Sequence, residues 1–230
     1  MKIKAYYTLF IFCAILVLTW ILVSHDHARA LKNHLIASGF LSETITAHST
    51  TSNLNGQALI LYDIAHPDYP NLKARRGQFQ NSHTLLTVSL KGIHGSLYDY
   101  LQHTQIHSFQ KQLNLYSPAT DILSSPFLTL AILGENNLNL DISLTAIKTA
   151  PNQITADLMI YKNHKVQIHF TTKLTPKYPN APLFDSLKGQ TLSWQLKQIC
   201  PEWKQKLDDY SLSKNIPFIT EGSSYEFSLK

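Results

Sequence analysis

Three stretches in the second half of the chain determine the fold class: Leu138-Asn-Leu-Asp-Ile-Ser-Leu-Thr-Ala146, Ile154-Thr-Ala-Asp-Leu-Met-Ile160 and Val166-Gln-Ile-His-Phe170. Apolar residues recur at every second position in each stretch, which is typical of a β-strand with one face on a core and the other in water. The connectors, residues 148–152 and 161–164, are short and polar, as in antiparallel hairpins. The sequence therefore predicts three consecutive strands within a long, curved antiparallel sheet.

The chain before this region also predicts strands. Asn55-Gly56 is a turn signal between two of them, and the second of these, Ala58 to Ala65, is apolar on both faces and is expected to be buried. Pro67 and Pro70 should break it, because proline cannot donate to a strand ladder. The strands predicted in this part are 43–50, 58–65, 72–79 and 85–90.

Helical spacing is found in a few short places. Residues 25–38 predict a helix that Gly39 ends, and Ser96 can cap a short helix between Gly95 and Gln105. A further strand is expected at 106–116. Near the C-terminus an amphipathic helix is predicted around Pro201, and Pro201 should take the first position of its second segment. The apolar stripe of this helix is formed by Leu196, Ile199, Trp203, Leu207 and Tyr210. The fold class is therefore mainly β (α+β).

The N-terminal segment from Ala5 to Val23 contains no charged residue. A bilayer core of about 30 Å needs about 20 such residues in a helix, so this segment predicts a transmembrane helix. Lys2 and Lys4 precede it and favour a cytoplasmic N-terminus. The predicted organisation is a cytoplasmic tail at 1–4, a transmembrane signal-anchor at 5–24, a juxtamembrane helical stalk at 25–40 and a periplasmic β-rich domain at 41–230.

A cleaved secretory signal peptide is the alternative interpretation, because Ala28-Arg29-Ala30 has the A-x-A pattern of a cleavage site. The apolar segment exceeds the 7–15 residues typical of a signal peptide, and several polar residues separate it from Ala30. An uncleaved anchor is therefore favoured. Both interpretations place residues 31–230 beyond the membrane.

Cysteine and glycosylation patterns bear on the compartment. Cys13 lies in the apolar segment and Cys200 is the second of two cysteines, so the exported part has no internal disulfide. Cys200 is expected to be a buried, inert thiol. The chain contains no N-x-S/T sequon. These features favour the bacterial inner membrane, with the bulk of the chain in the periplasm.

The charge balance excludes nucleic acid as the main partner. Beyond the apolar segment, 18 Lys and Arg stand against 15 Asp and Glu, and the charges are dispersed. The densest basic cluster is Lys73-Ala-Arg75-Arg76, which could contact lipid phosphates. A solvated strand or loop is the favoured interpretation of that cluster.

The eleven histidines invite a metal-site interpretation. Asp99, His103 and His107 are spaced by four residues and are the candidate ligands, although the strand expected from residue 106 would separate His107 from the others. Surface histidines are the favoured interpretation, and no cofactor is expected. The chain has no G-x-S-x-G elbow, P-loop or G-x-G-x-x-G motif, which argues against an enzyme.

The region from Gly39 to Leu101 follows the apolar anchor and contains Leu54-Asn-Gly-Gln-Ala-Leu-Ile-Leu-Tyr-Asp-Ile64, then Pro70-Asn-Leu-Lys-Ala74, then Leu85 to Ile93. This arrangement resembles the start of AsmA-like envelope proteins, and a short type II secretion N-like subunit would resemble it similarly. The AsmA-like resemblance implies an inner-membrane anchor and periplasmic strands that build a curved sheet with an apolar groove.

Two functions follow as expectations. In the first, the one-faced sheet binds or hands over a lipid or other apolar ligand. In the second, the chain is a non-catalytic structural subunit of an envelope or secretion assembly and docks a protein partner through this face or a strand edge. A periplasmic enzyme around Asp99 and His103 ranks well behind both. The residues expected to line the groove are Ile142, Leu144, Leu158, Ile160, Ile168 and Phe170.

Overall fold

The computed structural model describes residues 24–53, 55–66, 69–96, 137–188, 190–214, 220–222 and 224–228. In these ranges nine strands form one antiparallel sheet, and each described strand pairs with the described strands before and after it, in the order β1 to β9. This confirms the mainly-β, antiparallel prediction. The strands are β1 Thr46–Ser52, β2 Leu59–His66, β3 Tyr69–Asn81, β4 Leu85–Ser96, β5 Asn137–Ala150, β6 Gln153–Lys162, β7 Lys165–Leu174, β8 Thr191–Ile199 and β9 Ser224–Ser228.

Strands β5, β6 and β7 are the three predicted from alternating apolar residues, and they form the expected meander. Pro151-Asn152 makes the first turn. Asn163 and His164 make the second with φ angles of 52° and 62°, the left-handed geometry of a two-residue hairpin turn. Regular alternation along β5 and β6, continued by Ile168 and Phe170 on β7, leaves one face apolar. A register shift at Gln167 pairs Val166 with Tyr161, so the predicted alternation does not extend to Val166.

Strands β3 and β4 are both longer than predicted, and β4 was predicted to end at residue 90 because its alternation changes phase there. On β4, Leu90 pairs with Ile142 and Ile93 pairs with Leu140, so Lys91 and Gly92 together face one residue of β5. Gly92 has a φ of +61°, which fits a β-bulge of the type that favours glycine. The bulge returns Ile93 to the core face, where it is buried.

Within the described part of the chain, three helices accompany the sheet: α1 at residues 24–37, α2 at Leu183–Leu187 and α3 at Pro201–Lys214. Helix α1 is the predicted helix before Gly39, and Gly39 ends it with a φ of +75°. Pro201 opens α3 at its first position, as predicted. Helix α2 was not anticipated.

The predicted C-terminal stripe is wrong in its first half. Leu196 and Ile199 lie on β8, whereas Trp203 and Leu207 are buried on α3, as the stripe requires. The backbone of Tyr210 lies on α3, but its side chain is outside the description. Lys197 is an extra residue on β8 opposite β7, so Leu196 and Ile199 reach the same face at a spacing that imitates a helix. Strand β9 follows α3, so the helix does not end the fold.

The predicted helix from Gly95 to Gln105 begins too early, because β4 continues through Ser96, which pairs with Asn137. The rest of that helix and the strand expected at 106–116 lie outside the described residues. The predicted membrane helix also lies outside them, except for residue 24, which begins α1. No helix within the described ranges is long and apolar enough to cross a membrane.

The core joins one face of the sheet to the three helices. Ala28 and Leu35 of α1, Leu183 and Leu187 of α2, and Trp203 and Leu207 of α3 belong to one buried cluster with apolar residues of the strands. At one end of the sheet, the backbone N–H of Leu183 donates to the carbonyl of Ser82 at 2.9 Å. The Phe40 and Phe184 rings meet edge to face there, with centroids 5.2 Å apart. Helices α1 and α2 therefore close this end.

Candidate functional site

The six residues predicted to line a groove lie together on one face of the sheet. Leu144 pairs with Leu158, which pairs with Phe170, and the neighbouring row runs through Ile142, Ile160 and Ile168. Directly paired residues of antiparallel strands place their side chains on the same face with Cβ atoms about 4.5–5.5 Å apart. The six therefore form one apolar patch across β5, β6 and β7.

Exposure divides this patch in two. Ile160, Ile168 and Phe170 are at most 3% exposed and belong to the sealed core. Ile142, Leu144 and Leu158 are only partly buried. Of the six predicted residues, these three keep part of their surface exposed.

Strand β4 extends the open part of the patch. Leu90 pairs with Ile142 and Val88 pairs with Leu144, and both residues are partly buried against the core. The alternation of Val88 and Leu90 in the predicted strand 85–90 was the signal for this extension. We define the central strip as Val88, Leu90, Ile142, Leu144 and Leu158.

The central strip lies between better covered parts of the face. Helix α2 precedes β8 and α3 follows it, so these helices start from opposite ends of that strand. The backbone N–H of Cys200 donates to the carbonyl of Gln167 at 2.8 Å, which fixes the chain where α3 begins. Strands lie about 4.8 Å apart, so the strip spans about 10 Å across β4, β5 and β6.

The opposite face of the sheet, the outer face, is polar and carries its own contacts. His169 Nε2 lies 2.8 Å from Asp157 Oδ1 across β6 and β7. The hydroxyl of Tyr161 donates to the sulfur of Met159 at 2.9 Å. A depression of about 350 Å³ opens beside Tyr161, and we call it the outer pocket. Its lining residues are Ser89, Lys91, Asp141, Ile142, Ser143, Tyr161 and His164.

The candidate metal ligands Asp99, His103 and His107 lie outside the described residues. Within the described ranges, no three His, Cys, Asp or Glu side chains are grouped so that they could hold a metal ion. Cys200 is partly buried and packs against the core. Ser211 and Lys214 have an S-x-x-K spacing on α3, but Ser211 is fully buried, so its hydroxyl is out of reach of a substrate in solution.

No protein family model, curated protein or solved structure matches this chain. The resemblance to AsmA-like envelope proteins therefore stays a prediction, and the function has to be argued from the geometry of the two faces of the sheet.

Proposed function

We propose that this chain is an envelope protein anchored in the bacterial inner membrane through residues 5–24, whose periplasmic β domain binds a lipid or another apolar ligand and hands it on. The ligand lies along the central strip, with Ile160, Ile168 and Phe170 forming the buried layer beside it. The protein acts by binding, without a cofactor and without catalysis.

The observation that carries this proposal is the partial exposure of a contiguous apolar strip in the middle of a sheet. Scattered exposed apolar residues are ordinary, but adjacent ones on one face mark a surface for an apolar partner. Val88, Leu144 and Leu158 are cross-strand neighbours, so a ligand on one of them contacts the others. Each buried CH₂ group of such a ligand contributes about 0.8 kcal/mol.

Native mass spectrometry of the full chain, purified in a neutral detergent, tests the proposal. Leu144→Glu and Leu158→Glu place a charge on the strip, and we expect each to abolish a lipid or fatty acid that co-purifies with the wild-type chain. Ile147→Glu is the matched control, because Ile147 lies on the same strand as Leu144, alternates to the outer face and is 49% exposed.

All of these variants carry the same N-terminal segment, so lipid that adheres to an anchor would be equal in all of them. A lipid signal that persists in Leu144→Glu at the level seen in Ile147→Glu would remove the groove as the binding site. A wild-type protein that carries no lipid would also contradict the proposed lipid-binding function.

A structural subunit is the second candidate, and β1 is the observation that favours it. This strand, Thr-Ala-His-Ser-Thr-Thr-Ser, pairs only with β2 among the described residues and contains no Lys, Asp, Glu or Pro. Natural edge strands are commonly protected by such residues, because an open edge accepts another strand. An edge without this protection suits an extended segment of a partner protein.

A further inference from the structure

The bulge on β4 is held in place by three side chains from outside it. Asp141 Oδ1 accepts the backbone N–H of Gly92 at 2.7 Å, and His94 Nδ1 donates to the carbonyl of Gly92 at 2.8 Å. The stem of Arg75 covers the remaining side, since a Cβ on Gly92 would lie 2.9 Å from Arg75 Cδ. Bulges often re-aim a neighbouring side chain at a binding site. Here that neighbour is Lys91.

Like charges lie together beside the bulge. Lys91 and Arg76 are direct cross-strand partners on β4 and β3, and Arg75 lies next to them. Arg76 lies over the ring of Tyr62, 6.0 Å from its centroid, and neither Arg76 nor Lys91 forms an ion pair with a described carboxylate. Like charges placed directly opposite destabilise a strand pair. A bound anion would remove this cost.

The outer pocket lies beside these cations. Lys91 lines it together with His164 from the β6–β7 turn, and the hydroxyl groups of Ser89 and Ser143 provide neutral donors. Asp141 also lines the pocket, but one of its oxygens is engaged by Gly92. A volume of about 350 Å³ is at the lower end of small-molecule sites, so the pocket suits a small group.

We propose that the outer pocket binds a phosphate group, with Lys91 and His164 as the contacting residues and Arg76 as a neighbouring positive charge. Charge-assisted hydrogen bonds from an ammonium group and several hydroxyl donors are the chemistry that recognises a phosphate. The phosphate belongs either to a lipid headgroup or to a small soluble molecule. The outer pocket shares Ile142 with the central strip, but neither Leu144 nor Leu158 lines it and Lys91 is not part of the strip. The variants that test the two sites therefore differ, so either binding function can fail without the other.

Isothermal titration calorimetry on the full chain in neutral detergent tests the site, with inorganic phosphate and with dihexanoylphosphatidylglycerol as the two probes at constant ionic strength. We expect Lys91→Gln to weaken binding by about tenfold, the effect of losing one charge-assisted hydrogen bond. Lys173→Gln is the matched control, because Lys173 is an exposed lysine of β7 that does not line the pocket. The control should bind like wild type.

A second variant makes the test independent of any folding defect in the first. His164→Asn keeps a residue that tolerates the left-handed turn, where His164 has a φ of 62°, and should also weaken binding. Binding of inorganic phosphate identifies a small phosphate ligand, and binding of the short-chain lipid alone identifies a headgroup. Saturable binding of neither probe, or equal affinity in the Lys91→Gln and Lys173→Gln variants, overturns the proposal.

Discussion

Among the glycines of the sheet, Gly77 is the one whose replacement should disturb the core most. It is buried on β3, and a Cβ there would clash with Ile64 Cδ1 and lie 2.7 Å from the Phe79 ring. Because the ring cannot move away without disturbing the core, we expect Gly77→Ala to cost about 1–3 kcal/mol of the free energy of unfolding. Chemical denaturation of the two proteins measures this difference.

The Phe79 ring can be tested as the cause with a double-mutant cycle. If the ring blocks the new methyl group, Gly77→Ala should cost clearly less in a Phe79→Leu background than in the wild type. Equal costs in both backgrounds would show that the ring is not responsible.

Among the elements, the strands that the sequence predicts best are those without bulges on their apolar rows. Every second residue from Leu140 to Ala146 and from Ile154 to Ile160 faces the core, so period-2 counting finds β5 and β6. Counting fails on β8, where the bulge at Lys197 turns a spacing of two into three. Leu196 and Ile199 are therefore three residues apart, and this spacing continues into that of Trp203 and Leu207 on α3. The sequence then predicts a helix where the chain forms a strand.

The two candidate sites also differ in how far the sequence predicts them. The apolar patch could be predicted because its residues belong to consecutive strands joined by short turns, so their neighbours follow from the alternation. The outer pocket could not, because it depends on Lys91 and Asp141 meeting across β4 and β5, which are separated by residues 97–136. No local pattern gives the register of strands so far apart in the chain.

Helix α1 bears on whether the N-terminal segment is removed. Cleavage after Ala30 would take away residues 24–30, half of α1, including Ala28, which is 0% exposed in the core. It would also remove the 2.9 Å bond from His27 Nε2 to the carbonyl of Gly56. We therefore expect protein isolated from membranes to retain these residues, with an intact mass that includes the whole N-terminal segment.

The control for this prediction is Ala30→Leu, which removes the small residue that the cleavage pattern requires. If the N-terminal segment is retained, the wild type and this variant should both begin at the same residue. A wild-type species that begins at Leu31, and is absent from the variant, would show that the segment is a signal peptide and that the fold forms without the first half of α1.

At the scale of the whole molecule, the sheet is a single meander with two outer strands. Each of β2 to β8 is bonded on both sides, whereas β1 and β9 are each bonded to one described strand. An amide in a strand bonded on both sides exchanges only when the sheet opens more widely. In the free protein we expect hydrogen exchange to be slowest in β4, β5 and β6, and fastest in β1 and β9.

The same measurement separates the two candidate functions. A lipid on the central strip stabilises the folded state locally and should slow exchange in β4, β5 and β6 while leaving β1 unchanged. A protein that adds a strand to the open edge should instead slow exchange in β1, because its outward amides would gain partners. Slowed exchange in β1 in the presence of cell-envelope extract, with no change in β5 when fatty acid is added, would favour the structural subunit over the lipid carrier.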